Sequence, residues 1–260
     1  PKPKPNLNQK EIEQKEIRKA QSLIAQSIPA KGTLVETYLK SRAINPDDLP
    51  EGILKQLRFL PSYGYWHKWD GAQRFEELGS FPAMIAPMQN KAGHIRGAHV
   101  TYLKPDGSGK VEIPDKHNPG KMLPAKKIKG RPWACAIRLG PPAPVMVFSE
   151  GIENGLSSMM VHPDWPVWVA GSLTNLSGAG QNKLGEPHPE KEGRNLPTVY
   201  PDYRRPGILP PQPICTSAYL LAERDSKDQH SVDALIERTL RRWQGMGISN
   251  IYKVDAPDGM

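Results

Sequence analysis

The stretch VMVFSEGIENGLSSMM, residues 145–160, decides how the second half of the chain folds. It opens with apolar or small residues typical of a buried strand and passes through Glu150 and Gly151 into a segment with helical spacing. A strand that leads directly into a helix is typical of parallel α/β folds. A carboxylate at this junction is unexpected, because burying an ionised group is unfavourable unless it has a hydrogen-bond or ionic partner. We therefore expect Glu150 to have a chemical role at the end of the strand.

Strand and helix signals continue to alternate after this stretch. The sequence predicts strands at 167–171, 218–225 and 250–256 and a helix at 231–244. Such alternation implies parallel pairing through right-handed crossovers. The stretch 181–213 interrupts the pattern, is rich in Pro, Gly and charge, and is interpreted as a surface insertion. We expect an α/β unit over 141–260 with a mainly parallel sheet flanked by helices.

The first half of the chain has a different pattern. Residues 1–29 comprise a Pro-rich, charged tail and a helix with its apolar residues on one face. A second helix is expected over 33–42, with Thr33 and Glu36 as a capping box. Short extended runs follow, and residues 94–113 predict a β-hairpin around an Asp-Gly turn. Residues 30–140 are therefore interpreted as a smaller α+β module.

Composition restricts the classes of function. The chain has 260 residues, a net charge of +8 and two cysteines, Cys135 and Cys215. No apolar run approaches the roughly 20 residues that span a bilayer, and the first residues show no apolar segment of the kind found in signal peptides, so we expect a soluble, cytoplasmic protein with no membrane partner. The cysteines support neither a disulfide framework nor a zinc site and are expected to be buried. The positive charge favours a polyanionic partner such as nucleic acid.

Acidic residues follow several predicted strands. Glu150 ends the first strand of the α/β unit, and Glu223 and Asp225 end a later one. Since ligands bind outside the carboxyl ends of parallel strands, we expect these three carboxylates to meet at one edge. Repulsion and desolvation disfavour such a cluster unless a cation is present, and Mg²⁺ prefers carboxylate oxygens. The sequence predicts a site for Mg²⁺ or Mn²⁺; Asp255 and Asp258 are either further ligands or ordinary turn residues.

These residues resemble the toprim (topoisomerase/primase) domain. Its signature strand ending in Glu-Gly is matched by VFSEGIENG, and its later strand ending in Asp-x-Asp is matched by LLAERDSKD, with Glu223 in place of the first aspartate. The earlier segments TLVETYLKSRAI, LRFLP, PAMIAPM, GAHVTYLKPDGSGK and AIRLGPP are similar to the region that precedes toprim in primase-like proteins of phages, plasmids and integrated elements. Together these segments cover most of residues 30–260.

The resemblance implies Mg²⁺-dependent synthesis of primers from nucleoside triphosphates on single-stranded DNA, with a fused or recruited helicase as a partner. Carried over to this chain, Glu150 acts in general acid/base catalysis, while Glu223 and Asp225 hold the metal. Asn154 departs from the pattern, because primase-type toprim domains often have an aspartate there. A toprim-type nuclease and a catalytically decayed nucleic-acid-binding module remain as alternatives.

The longest basic segment runs from residue 104 to 131. Lysine and arginine can follow a phosphate backbone without reading its sequence. Four side chains in the last part of the segment are the predicted contacts: Lys126, Lys127, Lys129 and Arg131. Tyr102 and Trp133 are nearby aromatic candidates for stacking on bases. A solvated basic face is the alternative interpretation.

Other charged residues have ordinary structural interpretations. Glu150 could instead be a carboxylate that interacts with a helix N-terminus. Glu153 is interpreted as a solvated residue of the first helical turn, and Asp228 as the cap of the next helix. Arg241 and Arg242 on that helix are expected to face solvent.

Overall fold

A computed structural model of the chain describes residues 8–182, 185–224 and 226–255. The chain divides into two compact units, the first formed by residues up to 88 and 95–131, the second by 89–94 and 132 onward. Residues 132–140, which the sequence placed in the first module, therefore belong with the second unit. The fold is mixed α/β. No helix within the described ranges is both long enough and apolar enough to cross a membrane.

The first unit consists of an antiparallel sheet and two helices. Its elements, in chain order, are α1 Gln9–Gln26, β1 Ile28–Pro29, α2 Leu34–Ser41, β2 Arg58–His67, β3 Glu76–Gln89, β4 Ile95–Tyr102, β5 Ile113–Pro114, β6 Met122–Leu123 and β7 Lys126–Gly130. The main sheet has the order β1-β2-β3-β4-β7, and β5 pairs separately with β6. The sheet with the longer strands is thus antiparallel, in contrast to the parallel sheet expected for the other half.

The two helices of this unit follow the predicted patterns. The buried face of α1 is formed by Ile17, Ala20, Leu23 and Ile24. At α2, Thr33 Oγ1 accepts a hydrogen bond from the Val35 N–H at 3.3 Å. The Glu36 carboxylate accepts from the Gly32 N–H at 2.9 Å, one residue before the N–H that a capping box uses.

The predicted hairpin over 94–113 is only partly correct. The turn is present, because the Lys104 N–H donates to the Gly109 carbonyl at 2.9 Å and Leu103 bridges Lys110. Beyond this point β4 pairs with β7, and Ile113 pairs with Leu123. The second arm expected from the sequence is wrong, since alternation predicts a strand but does not specify its partner.

The second unit contains a five-stranded sheet with helices on both faces. Its elements are β8 Ile137–Leu139, β9 Val145–Ser149, α3 Ile152–Val161, β10 Val167–Val169, α4 Leu173–Ser177, β11 Ser217–Ala222, α5 Gln229–Gly245 and β12 Asn250–Asp255. The strand order is β12-β11-β9-β10-β8. The pairs β12·β11, β11·β9 and β9·β10 are parallel, and β10·β8 is antiparallel. The predicted helices and strands of this half are present, although β11 ends at Ala222 and is shorter than the predicted 218–225; α4 and the antiparallel β8 were missed.

Helix packing on this sheet follows from side-chain alternation along β9. Phe148 contacts Trp243 of α5, with ring centroids 4.9 Å apart. Ser149 points to the opposite face, where α3 packs closely: a Cβ on Gly155 would lie 3.0 Å from Ser149 Oγ and 2.9 Å from Val167 Cγ1. Gly155 is therefore needed for the close approach of α3 to the sheet.

The predicted surface insertion is partly buried against α5. The Trp243 Nε1–H donates to the Ile208 carbonyl at 2.9 Å. Arg242, expected to face solvent, is fully buried and donates to three carbonyls: Ser177 (2.9 Å), Asp202 (2.8 Å) and Ala179 (2.7 Å). The solvent-facing interpretation of Arg242 is wrong, because irregular backbone without its own hydrogen-bond ladder needs donors and the guanidinium supplies them.

Candidate functional site

The carboxyl ends of β9 and β11 place acidic residues side by side. These parallel strands are neighbours, with Leu220 opposite Phe148. Since β9 ends at Ser149 and β11 at Ala222, Glu150 and Glu223 leave the sheet at the same edge. Asp225, which the sequence analysis assigned to the metal together with Glu223, lies outside the described residues.

Two carboxylates approach the turn between β9 and α3. Glu223 Oε1 lies 3.1 Å from the position that a Cβ on Gly151 would occupy, and Glu153 Oε2 lies 3.6 Å from the same position. Glu153 comes from the first turn of α3 and Glu223 from the end of β11. Carboxylates from two elements therefore converge on one small volume next to Gly151. The N-terminus of α3 also lies there, and its dipole favours negative charge.

Glu153 differs from the sequence-based interpretation. It is only 8% exposed, so its assignment as a solvated first-turn residue is wrong. Glu150 is half-buried, and its main-chain carbonyl accepts a hydrogen bond from the Gly171 N–H at 2.9 Å. The burial of Glu153 could have been predicted from its i, i+3 spacing to Leu156, because residues three apart lie on the same face of a helix and this face of α3 is buried.

Asn154 makes a direct contact with this cluster. Its side-chain Nδ2 donates a hydrogen bond to Glu223 Oε1 at 2.8 Å. An aspartate at this position has no N–H to donate and would place a second negative charge beside Glu223. At the position where the resemblance led us to expect an aspartate, Asn154 is therefore a neutral donor that orients the neighbouring carboxylate.

The described donors at this edge are two carboxylates, the donor type that a hard divalent cation prefers. Mg²⁺ is commonly bound by one or two carboxylates together with water and substrate phosphates. Glu153 and Glu223 supply carboxylates near the Gly151 turn. Over 8–182, 185–224 and 226–255, no group of three or more His, Cys, Asp or Glu side chains is arranged to hold a metal ion. Any third protein ligand would have to come from elsewhere, and Asp225 is the predicted one.

The neighbouring aspartates have structural partners. Asp228 caps α5, accepting from the Ser231 N–H at 3.1 Å, as predicted. Hydrogen bonds from Lys191 and then His188 to its carboxylate hold the pKa of Asp228 well below its ordinary value. Asp255 pairs with Lys253 at 2.8 Å and with Arg224 at 3.0 Å. These ion pairs give the Asp255 carboxylate a structural role, and Asp258 lies outside the described residues.

The predicted basic contacts lie on β7 and just after it. Lys126, Lys127 and Lys129 are half-buried, whereas Arg131 is exposed. Lys127 Nζ lies 3.6 Å from the centroid of the Tyr65 ring and donates to the Trp66 carbonyl. Burial, followed by the charge of Lys129, lowers the pKa of Lys127 to about 8. Burial also lowers the pKa of Lys129.

The aromatic candidates have different environments. Tyr102 is fully buried and packs against Tyr65, so its predicted role in stacking on bases is wrong. Trp133 is 50% exposed. Two exposed rings described in the first unit, Trp66 at 45% and Phe75 at 63%, were missed; the aromatic run YGYWHKW contains Trp66 and offered a signal for it.

Comparison with known proteins gives two matches. Residues 14–139 match a family described as "Domain of unknown function (DUF7146)". The chain is also structurally similar to the Aquifex aeolicus primase, solved as its zinc-binding and RNA polymerase domains, with a TM-score of 0.45 and 14% sequence identity. This likeness covers 90% of the present chain and 52% of the primase chain, so the present chain spans about half of that protein's solved length. No curated protein matches.

Proposed function

We propose that the protein is a primase-like, Mg²⁺-dependent nucleotidyltransferase that synthesises primers on single-stranded DNA from nucleoside triphosphates. One observation carries the proposal: Glu223 Oε1 and Glu153 Oε2 converge beside Gly151, where parallel strands end and α3 begins. Ligand sites in parallel α/β sheets lie at this edge. The resemblance of VFSEGIENG and LLAERDSKD to toprim motifs supports the choice of phosphodiester chemistry.

The residues have distinct proposed roles. Glu223 and Asp225 hold the cation, with Glu153 close enough to bind directly or through water. Asn154 keeps Glu223 Oε1 in position through its 2.8 Å hydrogen bond. Glu150 accepts or donates the proton at the reacting hydroxyl. When bound, Mg²⁺ would supply neutralisation of charge on the triphosphate and activation of the attacking 3′-hydroxyl.

The basic segment is the proposed contact for the DNA backbone. Arg131 is exposed and ready to pair with phosphate, and the half-buried Lys126, Lys127 and Lys129 lie on the adjoining strand. A fused or recruited helicase is the proposed partner for use of the primers.

A non-catalytic binding module is the second candidate. It is favoured by the Asn154–Glu223 hydrogen bond, because an amide that donates to a carboxylate stabilises that carboxylate without any cation. A toprim-type nuclease would use the same cluster to cleave DNA.

Primer synthesis separates these functions. The assay would supply labelled nucleoside triphosphates, single-stranded DNA and Mg²⁺ to the wild type and to Glu150→Gln, Glu223→Gln and Asp225→Ala. Asp255→Asn is the control, since Asp255 is paired with Lys253 and Arg224. New labelled product that the three site variants lose and the control keeps supports the proposal. Shortened DNA indicates a nuclease, and DNA binding without turnover in any variant indicates the binding module.

A further inference from the structure

A cavity of about 260 Å³ lies within the second unit. None of the residues that line it belongs to the acidic edge described above. Its walls are largely apolar and come from the ends of α5 and β8, from β10 and from the loop 206–212. Ala136, Ile208, Met246 and Ile248 contribute to these walls. A concave apolar site with a few polar groups is the usual form of a small-molecule site.

Two polar side chains stand side by side in the cavity wall. Arg138 and Trp168 are directly paired across β8 and β10, and the Arg138 guanidinium carbon lies 4.3 Å from the Trp168 ring centroid. Trp168 is 5% exposed. Among the residues that the structure describes, neither Trp168 Nε1 nor Arg138 Nε has a hydrogen-bond partner. Two buried donors are thus left unpaired in one place, which is unfavourable by about 1–3 kcal/mol for each group.

The guanidinium of Arg138 is also without a counter-charge in this cavity. Its Nη2 donates to the carbonyls of Asn90 at 2.5 Å and Lys91 at 3.2 Å, and burial lowers its pKa. The described residues that line the cavity include two cations, Arg138 and Lys91, and neither Asp nor Glu. A partly buried cation surrounded by neutral partners favours an anion that enters the site.

Arg242 shows what a structural buried arginine looks like in the same unit. Its Nε, Nη1 and Nη2 each donate to a carbonyl, over 2.7–2.9 Å. Arg138 has only Nη2 occupied in this way, although the 90–94 turn fixes its position. Arg242 thus uses its donors within the fold, whereas Arg138 keeps donors that can bind a ligand.

We propose that this cavity binds a small carboxylate with an apolar body. The body would lie against Ile208, Met246 and Ile248, and the carboxylate would pair with the guanidinium of Arg138. A small rotation of either side chain would bring Arg138 Nε and Trp168 Nε1, both now covered, into contact with its oxygens. This inference is independent of the proposed primer synthesis, because none of the cavity residues belongs to the acidic edge.

Calorimetric titration with a matched pair of probes tests the site. The full chain would be titrated with phenylacetate and with its uncharged isostere phenylacetamide. Phenylacetate should bind at least about tenfold more tightly than the amide, as expected for hydrogen bonds to a charged group. Arg138→Met should remove that difference, and Trp168→Phe, which loses the N–H and keeps a ring, should weaken phenylacetate binding severalfold. Arg74→Met, at an exposed arginine of the other unit, should leave the affinity for phenylacetate unchanged.

Location of the probe completes the test. A crystal grown with 4-bromophenylacetate should show anomalous bromine density between the 206–212 loop and Trp168. Equal affinity for acid and amide, absence of binding to the folded wild type, or bromine at another position would overturn the proposal. Should circular dichroism show that Arg138→Met is unfolded, the acid–amide comparison in the wild type and the Trp168→Phe variant still decide it.

Discussion

Asn154 Nδ2 donates a hydrogen bond to Glu223 Oε1 at 2.8 Å, joining the first turn of α3 to the end of β11. The bond fixes one carboxylate oxygen beside Gly151, near Glu153 Oε2. It therefore defines the local geometry of the candidate site, and the amide contributes orientation without adding charge.

Replacing Asn154 by aspartate should make the site more dependent on metal. Without divalent ions, Asn154→Asp places a carboxylate beside Glu223 and should lower the free energy of unfolding by about 1 kcal/mol, through repulsion and the lost hydrogen bond. Mn²⁺ should stabilise the Asn154→Asp variant more than it stabilises the wild type, because the new aspartate provides a third carboxylate ligand. Thermal unfolding with chelator and then with increasing Mn²⁺ measures both effects. Asn154→Ala is the control, because it removes the hydrogen bond to Glu223 without adding a charge. The account is contradicted if Mn²⁺ stabilises Asn154→Asp no more than it stabilises the wild type.

Gly151→Ala should affect function more than stability. The new Cβ would lie 3.1 Å from Glu223 Oε1, so the carboxylate must move by a few tenths of an ångström. The backbone of Gly151, at φ −95° and ψ 145°, is open to alanine, so unfolding should change by less than about 1 kcal/mol. Primer synthesis should fall by about tenfold or more, because small displacements of site groups reduce rate strongly. Gly109→Ala, where the nearest atom lies 4.0 Å away, is the control; equal activity of the two variants would argue against a role for this turn.

Arg241 and Arg242 form a matched pair for testing the buried guanidinium. Arg242→Met leaves three carbonyls without their donor and should reduce the free energy of unfolding by about 3 kcal/mol or more. The Arg241 side chain is 42% exposed and pairs with Glu237 at 2.6 Å, so Arg241→Met should lower the free energy of unfolding by less than about 1 kcal/mol. Urea denaturation monitored by tryptophan fluorescence gives both values. Similar losses in the two variants would show that Arg242 does not hold the 177–202 segment in place.

Lys127 should produce a characteristic pH dependence of stability. Its folded pKa of about 8 lies below the value of about 10.4 expected for an unfolded chain. Between these pH values the unfolded state binds more protons, so stability should rise as pH increases from 8 to 10. Lys127→Met should reduce that rise, leaving the part that the buried Lys129 contributes, while the exposed Lys121→Met should keep it in full. Urea midpoints at pH 7, 8, 9 and 10 provide the test, and parallel profiles for wild type and Lys127→Met would contradict the burial of this lysine.

The sequence was most informative where local pattern determines structure. The β9–α3–β10 succession and the buried face of α1 follow directly from apolar spacing. Pairing partners were less predictable. Residue 113 pairs with β6, and the sequence did not predict this because the alternation of apolar and polar residues identifies a strand without indicating which strand lies beside it.

The candidate site was predictable at the level of its edge and less so at the level of its side chains. The sequence predicts Glu150 and Glu223 at one edge of the sheet, and the structure shows that their strands, β9 and β11, are neighbours. The approach of Glu153 depends on which face of α3 meets the sheet, and the burial of Arg242 depends on an insertion with no periodic pattern. Both arise from tertiary packing, which a single sequence expresses only indirectly.

Anomalous diffraction from a crystal soaked in Mn²⁺ and a nucleoside triphosphate tests the central claim most directly. The account predicts a manganese peak beside the Gly151 turn, within about 2.5 Å of a Glu223 oxygen, and loss of the peak in Glu223→Gln. A well-ordered triphosphate with no manganese at that turn, or manganese bound elsewhere on the chain, would contradict it.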